Sequence, residues 1–391
     1  MQTQTFTSVE KKQFSVSFFA FFCNGALALS VGALLPFLRD TYGLDYAFAG
    51  LLVSLHSVGN LVSSFAAGLL PLWVGRKKSI VLFSAFYACA FLLITLNPNN
   101  FVLAAAFVMS GLARGAVSNF NNILINEIAP GKAWAMNTLH AMFAIGAFLA
   151  PLAVLVCTAG NPGGWRTMCY IMIGLGVLEL IGFAGMPLAN DRVVRAEKSA
   201  AKGATFLREK QFWICTGTLF FYLCAEQGVI GWMVTYFKDS GLMSAGYAQV
   251  MASVLWILIL AGRLSAAYLS TKINKARLLG LMGLGFIAFF VVVLLGRSLP
   301  VITLGIAGFG FSMAGIYPTT VSLSGSTIKA YPLAWSTMLT AAGFGAILMP
   351  SIIGAVAEKA GIYAGMCTVV IAVLITCGFI LANLRMHRND A

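Results

Sequence analysis

Apolar residues in this chain come in long runs of similar size, separated by short polar breaks. The runs cover 14–38, 47–71, 79–97, 101–125, 134–158 and 167–188, then 211–237, 245–270, 277–296, 300–324, 332–355 and 362–384. Each approaches or exceeds the roughly 20 apolar residues that a helix needs to cross a hydrocarbon core. Backbone N–H and C=O groups find no water there, so helices, whose hydrogen bonds close within the segment, are the expected elements. Short breaks force neighbouring helices to run antiparallel. The pattern predicts an all-α membrane protein with twelve transmembrane helices. The first run continues to Leu38 without a small-residue cleavage site, so it reads as a crossing rather than a signal peptide.

Composition agrees with that picture: 60% of the 391 residues are hydrophobic and 9% are charged. The basic residues orient the helices. With both termini on one side, that side carries eighteen of the 25 Lys and Arg residues, from Lys11 and Lys12 to Arg385 and Arg388. The other side carries Arg39, Arg166, Lys238, Arg297 and Lys359, and only Arg114 and Arg263 fall within spans. Both termini are therefore expected in the cytoplasm, with the chain in a plasma (bacterial inner) membrane. The net charge of +13 is scattered over short loops. That suits anionic headgroups and topology better than nucleic acid, which needs a basic soluble face.

All eight cysteines fall in or near apolar spans, none in a metal-ligand spacing, so reduced packing residues are expected, with no metal and no cofactor. No Gly-x-Ser-x-Gly elbow and no His-Glu-x-x-His helix appears, and the chain has three histidines. An intramembrane enzyme is disfavoured on that census, and an ion channel by the lack of a filter-like acidic ring.

The charged stretch NDRVVRAEKSAAKGATFLREKQ (190–211) divides the chain into a six-helix bundle (1–190), a basic linker (191–210) and a second six-helix bundle (211–391). Such a repeat suggests two bundles that rock about a midplane site. The break GLLPLWVGRKKS (68–79) keeps Gly68, Gly75, Arg76 and Lys77. It resembles the loop between helices 2 and 3 of the major facilitator superfamily, with Leu72 where that family has an acid. The second copy, AYLSTKINKAR (267–277), has Thr271 and Asn274 in place of acid and glycine. GLARGAVSNFNNILINEIAP (111–130), NTLHAMFAIGAFLAP (137–151), YLCAEQGVIGWMVTYF (222–237), AGRL (261–264) and GFGFSMAGIYPTTVSLSG (308–325) resemble the fucose-permease-like branch in order and in helix assignment. The resemblance implies a secondary transporter with sugars as the first substrate class, and a central cavity lined by helices 1, 4, 7 and 10.

Charged side chains at membrane depth are costly, which makes each a functional candidate. Arg114 leads a stripe with Ser118, Asn121 and Asn122 on one helical face. Asn24 is the obvious polar residue of the first span, and Ser118 stands about where relatives carry an acid. An arginine without a local acid suits an anionic substrate through bidentate carboxylate recognition. In span 7, Glu226 with Tyr222 and Gln227 reads as a proton-coupling acid or as a partner of Arg114. His140 matches a family segment and is the second coupling candidate, while His56 reads as a packing histidine. Tyr317 and Thr320 share a face of span 10, with the nearby glycines and Pro318 predicting close contact and a kink. Trp232 and Tyr236 would stack on substrate or anchor the interface. Gly68, Gly75, Arg76, Lys77 and Arg263 read as gating or structural residues, and Glu179 as a structural or lipid-facing acid on a peripheral helix.

The expected function is a monomeric, alternating-access carrier, proton-coupled with sodium as the alternative ion. Its solute is a sugar, sugar acid or organic anion. Multidrug-type efflux is the competing transport class.

Overall fold

The computed structural model describes residues 6–96, 99–130, 132–188, 204–325, 327 and 331–386. Most of the predicted linker, residues 191–203, lies outside them; its end is a short 3-10 turn, Ala204–Arg208. The described residues are helical with no strand. In chain order the long helices are α1 (Ser8–Tyr42), α2 (Tyr46–Leu69), α3 (Arg76–Leu96), α4 (Asn100–Ile128), α5 (Ala133–Thr158), α6 (Trp165–Gly185), α7 (Lys210–Asp239), α8 (Ala245–Leu269), α9 (Lys275–Leu295) and α10 (Leu299–Leu323). The last helical stretch, Pro332–Met386, is broken at Gly361. Its two arms are α11 (332–360) and α12 (362–386). Among the described residues eleven helices are long and apolar enough to cross a membrane. The last of them contains two arms, which matches the twelve runs of the sequence.

Local chemistry sets the ends. Thr7 and Glu10 form a reciprocal capping box before α1: Glu10 N–H donates to Thr7 Oγ1, and Thr7 N–H to Glu10 Oε2. Asn99, Ser244 and Asn274 accept backbone N–H groups at the starts of α4, α8 and α9. Gly361 has φ 84°, a conformation that a side chain makes costly, and the chain turns there. The kink expected in span 10 is present as an interruption between Met313 and Ile316.

The chain forms two compact units. One comprises Met1–Phe37 and Leu55–Ala196; the other comprises Leu38–Ser54 and Glu197–Ala391. The hairpin in which α1 ends and α2 begins thus packs with the second half of the sequence. In the first unit, Phe14, Phe21, Leu124, Ile125, Leu139 and Phe183 build a core between α1, α4, α5 and α6. In the second, Phe206, Phe212, Leu219, Met338 and Ala342 do so between α7 and α11. Large apolar side chains such as Phe101, Val156, Leu264 and Leu284 remain exposed, as lipid-facing residues of a multi-pass membrane protein do.

Glycines bring specific helices together, and they repeat between the units. A Cβ on Gly59 of α2 would meet the Val108 carbonyl of α4 at 2.2 Å, and one on Gly111 of α4 would meet the His56 carbonyl of α2 at 1.9 Å. The second unit repeats the contact. A Cβ on Gly262 of α8 would meet the Phe311 carbonyl at 2.3 Å, and one on Gly310 of α10 would meet the Leu255 carbonyl at 2.8 Å. Small residues allow such backbone approach in membranes, where packing rather than hydrophobic exclusion joins helices.

Candidate functional site

In the first unit, the α2/α4 contact fixes a polar group around Arg114. Asn24 of α1 donates from Nδ2 to the Arg114 carbonyl at 3.2 Å. The guanidinium is half-buried, and its Nη1 lies 3.4 Å from His56 Nε2. The other ring nitrogen of His56 is 2.8 Å from Ser110 Oγ. The stripe expected below Arg114 divides. Ser118 and Asn122 stay partly accessible, and Asn122 Nδ2 donates to the Ser118 carbonyl at 2.9 Å. Asn121 is fully buried, and its Nδ2 donates to the Val117 carbonyl at 2.8 Å. It therefore belongs to the core of its unit rather than to an accessible face. A seven-residue step on a 3.6-residue helix leaves it slightly rotated from Arg114, which is enough to turn it inward.

In the second unit, Tyr222 of α7 donates its hydroxyl to Glu226 Oε1 at 2.9 Å. Gln227 Nε2 reaches Glu226 Oε2 at 3.5 Å. Both Tyr222 and Glu226 are buried. The half-buried ring of Tyr317 lies 6.4 Å from that of Tyr222. Arg263 is exposed on α8. Thr320 is buried and spends its proton on the Ile316 carbonyl of its own helix at 2.7 Å. Trp232 is fully buried and donates from Nε1 to the Pro350 carbonyl at 3.0 Å, so it packs within the unit. Tyr236 is likewise buried. Arg114 and Glu226 fall in different units, each with hydrogen bonds inside its own.

Other candidates have structural settings. His140 occupies an exposed position on α5, its ring edge-on to Phe21 at 5.6 Å. Gly68 lies in the last turn of α2, and Gly75 has φ 87° where the chain turns into α3. Arg76 donates to Glu127 Oε2 at 2.8 Å, which ties the start of α3 to the end of α4. Lys77 Nζ donates to the Met186 carbonyl at 3.1 Å. Glu179 is 1% exposed with neither carboxyl oxygen hydrogen-bonded. This corrects the lipid-facing expectation, because the side chain points into the bundle. The eight cysteines are free thiols, and among the described residues no cluster of His, Cys, Asp and Glu could hold a metal ion.

Sequence reasoning missed two things. His56 had been read as packing, although only a tertiary contact reveals it as the acceptor facing Arg114. The dipeptides Arg39–Asp40 and Lys238–Asp239, at equivalent ends of α1 and α7, were a readable signal. In the second unit they pair reciprocally, Arg39 with Asp239 and Lys238 with Asp40.

Residues 17–350 match the family model described as Major Facilitator Superfamily. An uncharacterised MFS-type transporter of Yersinia pestis is 24% identical over 87% of each chain. The galactose-proton symporter of Escherichia coli is 29% identical over 47% of this chain and 42% of its own. Among solved structures, a bacterial homologue of the human lysosomal transporter Spinster superposes with a TM-score of 0.81 at 14% identity, covering 99% of each chain. The Escherichia coli fucose:proton symporter superposes with a TM-score of 0.63 at 15% identity, over 96% of this chain and 99% of its own.

Proposed function

This chain belongs to the Major Facilitator Superfamily, and from that membership we propose a proton-coupled, alternating-access carrier whose solute is a small organic anion such as a sugar acid. It is a transporter of small solutes and not an enzyme, and it is an integral multi-pass membrane protein. The finer reading places it in the plasma (bacterial inner) membrane as a monomer with both termini cytoplasmic, as the basic loops favour. Protons are the preferred coupling ion and sodium the alternative.

The observation that carries the anion reading is the setting of Arg114. Its guanidinium faces the imidazole Nε2 of His56, and Ser118 and Asn122 stand one and two turns along the same helix. A guanidinium offers a planar fork of donors to a carboxylate, and hydroxyl and amide groups nearby fit the hydroxyls of a sugar acid. The similarity to the galactose-proton symporter supports a second reading, a neutral monosaccharide. Thermal stabilisation of the purified carrier across neutral monosaccharides, sugar acids and simple carboxylates separates the two, because a ligand of the folded state raises its apparent stability. Sugar acids are expected to stabilise, and Arg114→Ala to abolish the effect. Stabilisation by neutral sugars that survives Arg114→Ala would replace the anion reading. A strong Arg114 dependence for an anion would also count against efflux of cationic drugs.

Glu226 is the proposed coupling acid of the second unit, held by Tyr222 in a setting where a lone charge is costly. Glu226→Gln is expected to reduce proton-driven accumulation of the stabilising solute in vesicles at least tenfold while sparing counterflow exchange. Unchanged accumulation would remove Glu226 from coupling.

A further inference from the structure

Three hydrogen bonds in the first unit fix the protonation of a buried histidine. Ser110 Oγ donates its single proton to the Phe107 carbonyl at 2.7 Å. Toward His56 Nδ1, at 2.8 Å, it can then only accept, so the ring carries its proton on Nδ1. On the other side, Nε2 lies 3.4 Å from Arg114 Nη1. A guanidinium has donors and no acceptor, so Nε2 is the acceptor. The partners on both sides select one species, the neutral imidazole with hydrogen on Nδ1.

This arrangement makes Nε2 and an arriving anion rivals for the same guanidinium. While Arg114 stays in place, a proton on Nε2 would set cation against cation at contact distance in a site of low dielectric. Once a carboxylate draws Arg114 away, Nε2 is left without its donor beside an anion, whose charge favours the imidazolium against the cost of burial. The charges also balance. Before binding the pair carries one positive charge. With arginine, imidazolium and a bound monoanion it carries one again, so the bilayer interior sees no change in net charge.

We propose that His56 is a proton-binding site of the carrier, loaded when an anionic solute displaces the Arg114 guanidinium from Nε2, so that one proton is taken up with one carboxylate. The proton comes from water and goes to Nε2; the carboxylate replaces the imidazole as acceptor of the Arg114 N–H. The proposal rests on the anion reading of Arg114. Around His56 and Arg114, Ser110 on α4 is neutral and already committed, and Asn24 on α1 is neutral and bound at the Arg114 carbonyl. Arg114 is the charged group in contact with the ring, and burial opposes an imidazolium as well. The geometry has little slack, because the Gly111 contact locks α4 against the His56 carbonyl.

The test uses full-length carrier in nanodiscs with ¹⁵N-labelled histidine, the His56 signals being identified by their loss in His56→Gln. In wild type without ligand, the ring is expected to stay the neutral Nδ1–H tautomer between about pH 5 and 8. On saturation with galacturonate, which draws the cation away and brings an anion, it is expected to become the imidazolium in that window. Proton uptake is then measured in weak buffer on adding galacturonate or gluconate. Uptake is read in the Glu226→Gln background, so that the coupling acid of the second unit does not contribute: about one proton per bound anion is expected, with binding but no uptake when His56→Gln is added. Anion binding without uptake, uptake that persists in His56→Gln, or a His56 ring that stays neutral with the anion bound overturns the proposal and leaves the anion carrier standing. Failure of both carboxylates to bind wild type instead overturns the anion reading itself, and the proposal with it.

Discussion

Gly111→Ala is expected to lower the melting temperature of the purified protein sharply, whereas Gly174→Ala leaves it unchanged or raises it. At Gly111 the new methyl would stand 1.9 Å from the His56 carbonyl oxygen and 2.8 Å from the Asn60 backbone nitrogen. Both are backbone atoms that no rotamer change can move. Cβ atoms in real structures essentially never approach closer than 3.0 Å, so α2 and α4 must part by about 1.1 Å, the difference between 3.0 and 1.9 Å. Overpacking of this kind costs about 1–3 kcal/mol, and backbone on both sides puts this case at the upper end. The same separation would break the Arg114–His56 contact, already long at 3.4 Å. At Gly174 of α6 nothing lies within 4 Å of the new methyl, and alanine is the better helix former by about 1 kcal/mol. Gly310→Ala in the second unit should fall between them, since its nearest atom is 2.8 Å away. Melting curves of the three variants test the ranking; equal shifts at Gly111 and Gly174 would show that helix propensity, not the close crossing, governs these positions.

The helices were legible in the sequence because the bilayer imposes a length that no other environment demands. The break in α10 was legible because Gly315 and Pro318 stand together in an apolar run. Which face of each helix meets a neighbour was not legible. A soluble helix advertises its buried face by contrast with polar residues on the other; in a membrane, lipid-facing and protein-facing residues are both apolar. That is why the reading of Glu179 stayed open between a structural and a lipid-facing acid, where the structure buries it, and why Asn121 read as accessible and is not. The same blindness hid His56, whose partner lies 58 residues away on another helix. Arg114 and Glu226 were visible as candidates because charge in an apolar run stands out, but their hydrogen bonds are tertiary or rotameric facts. The pairing of Arg76 with Glu127 makes the point for the degraded loop motif. The partner of Arg76 lies 51 residues away, at the end of α4, where a comparison of the loop alone does not look.

Asp239→Asn is expected to destabilise the second unit far more than Asp40→Asn, although both acids serve in the same reciprocal pair of ion pairs. Arg39 and Asp239 have side chains only 13% and 15% exposed. Asp239 also accepts the Tyr46 hydroxyl at 2.9 Å, and the Arg39 guanidinium lies 3.6 Å over the Tyr46 ring. Removing the carboxylate leaves a mostly buried guanidinium without its counter-charge, a loss of about 3–5 kcal/mol when such a pair is fully buried. Partial exposure places this one toward the lower figure. Lys238 and Asp40 are 26% and 60% exposed, and an ion pair so open to water contributes about 0–1 kcal/mol. The Tyr46 N–H donates separately to Glu358 Oε2 at 2.8 Å, so the start of α2 keeps one anchor in either variant. Melting temperatures of the two single variants, and of Arg39→Asp combined with Asp239→Arg, decide the matter. Partial recovery in the double variant assigns the loss to the pair itself, because reversal restores opposite charges at the same contact. If Asp239→Asn and Asp40→Asn cost the same, burial does not set the strength of this clasp. The hairpin of residues 38–54 would then be held to the second unit by its apolar packing and by Glu358.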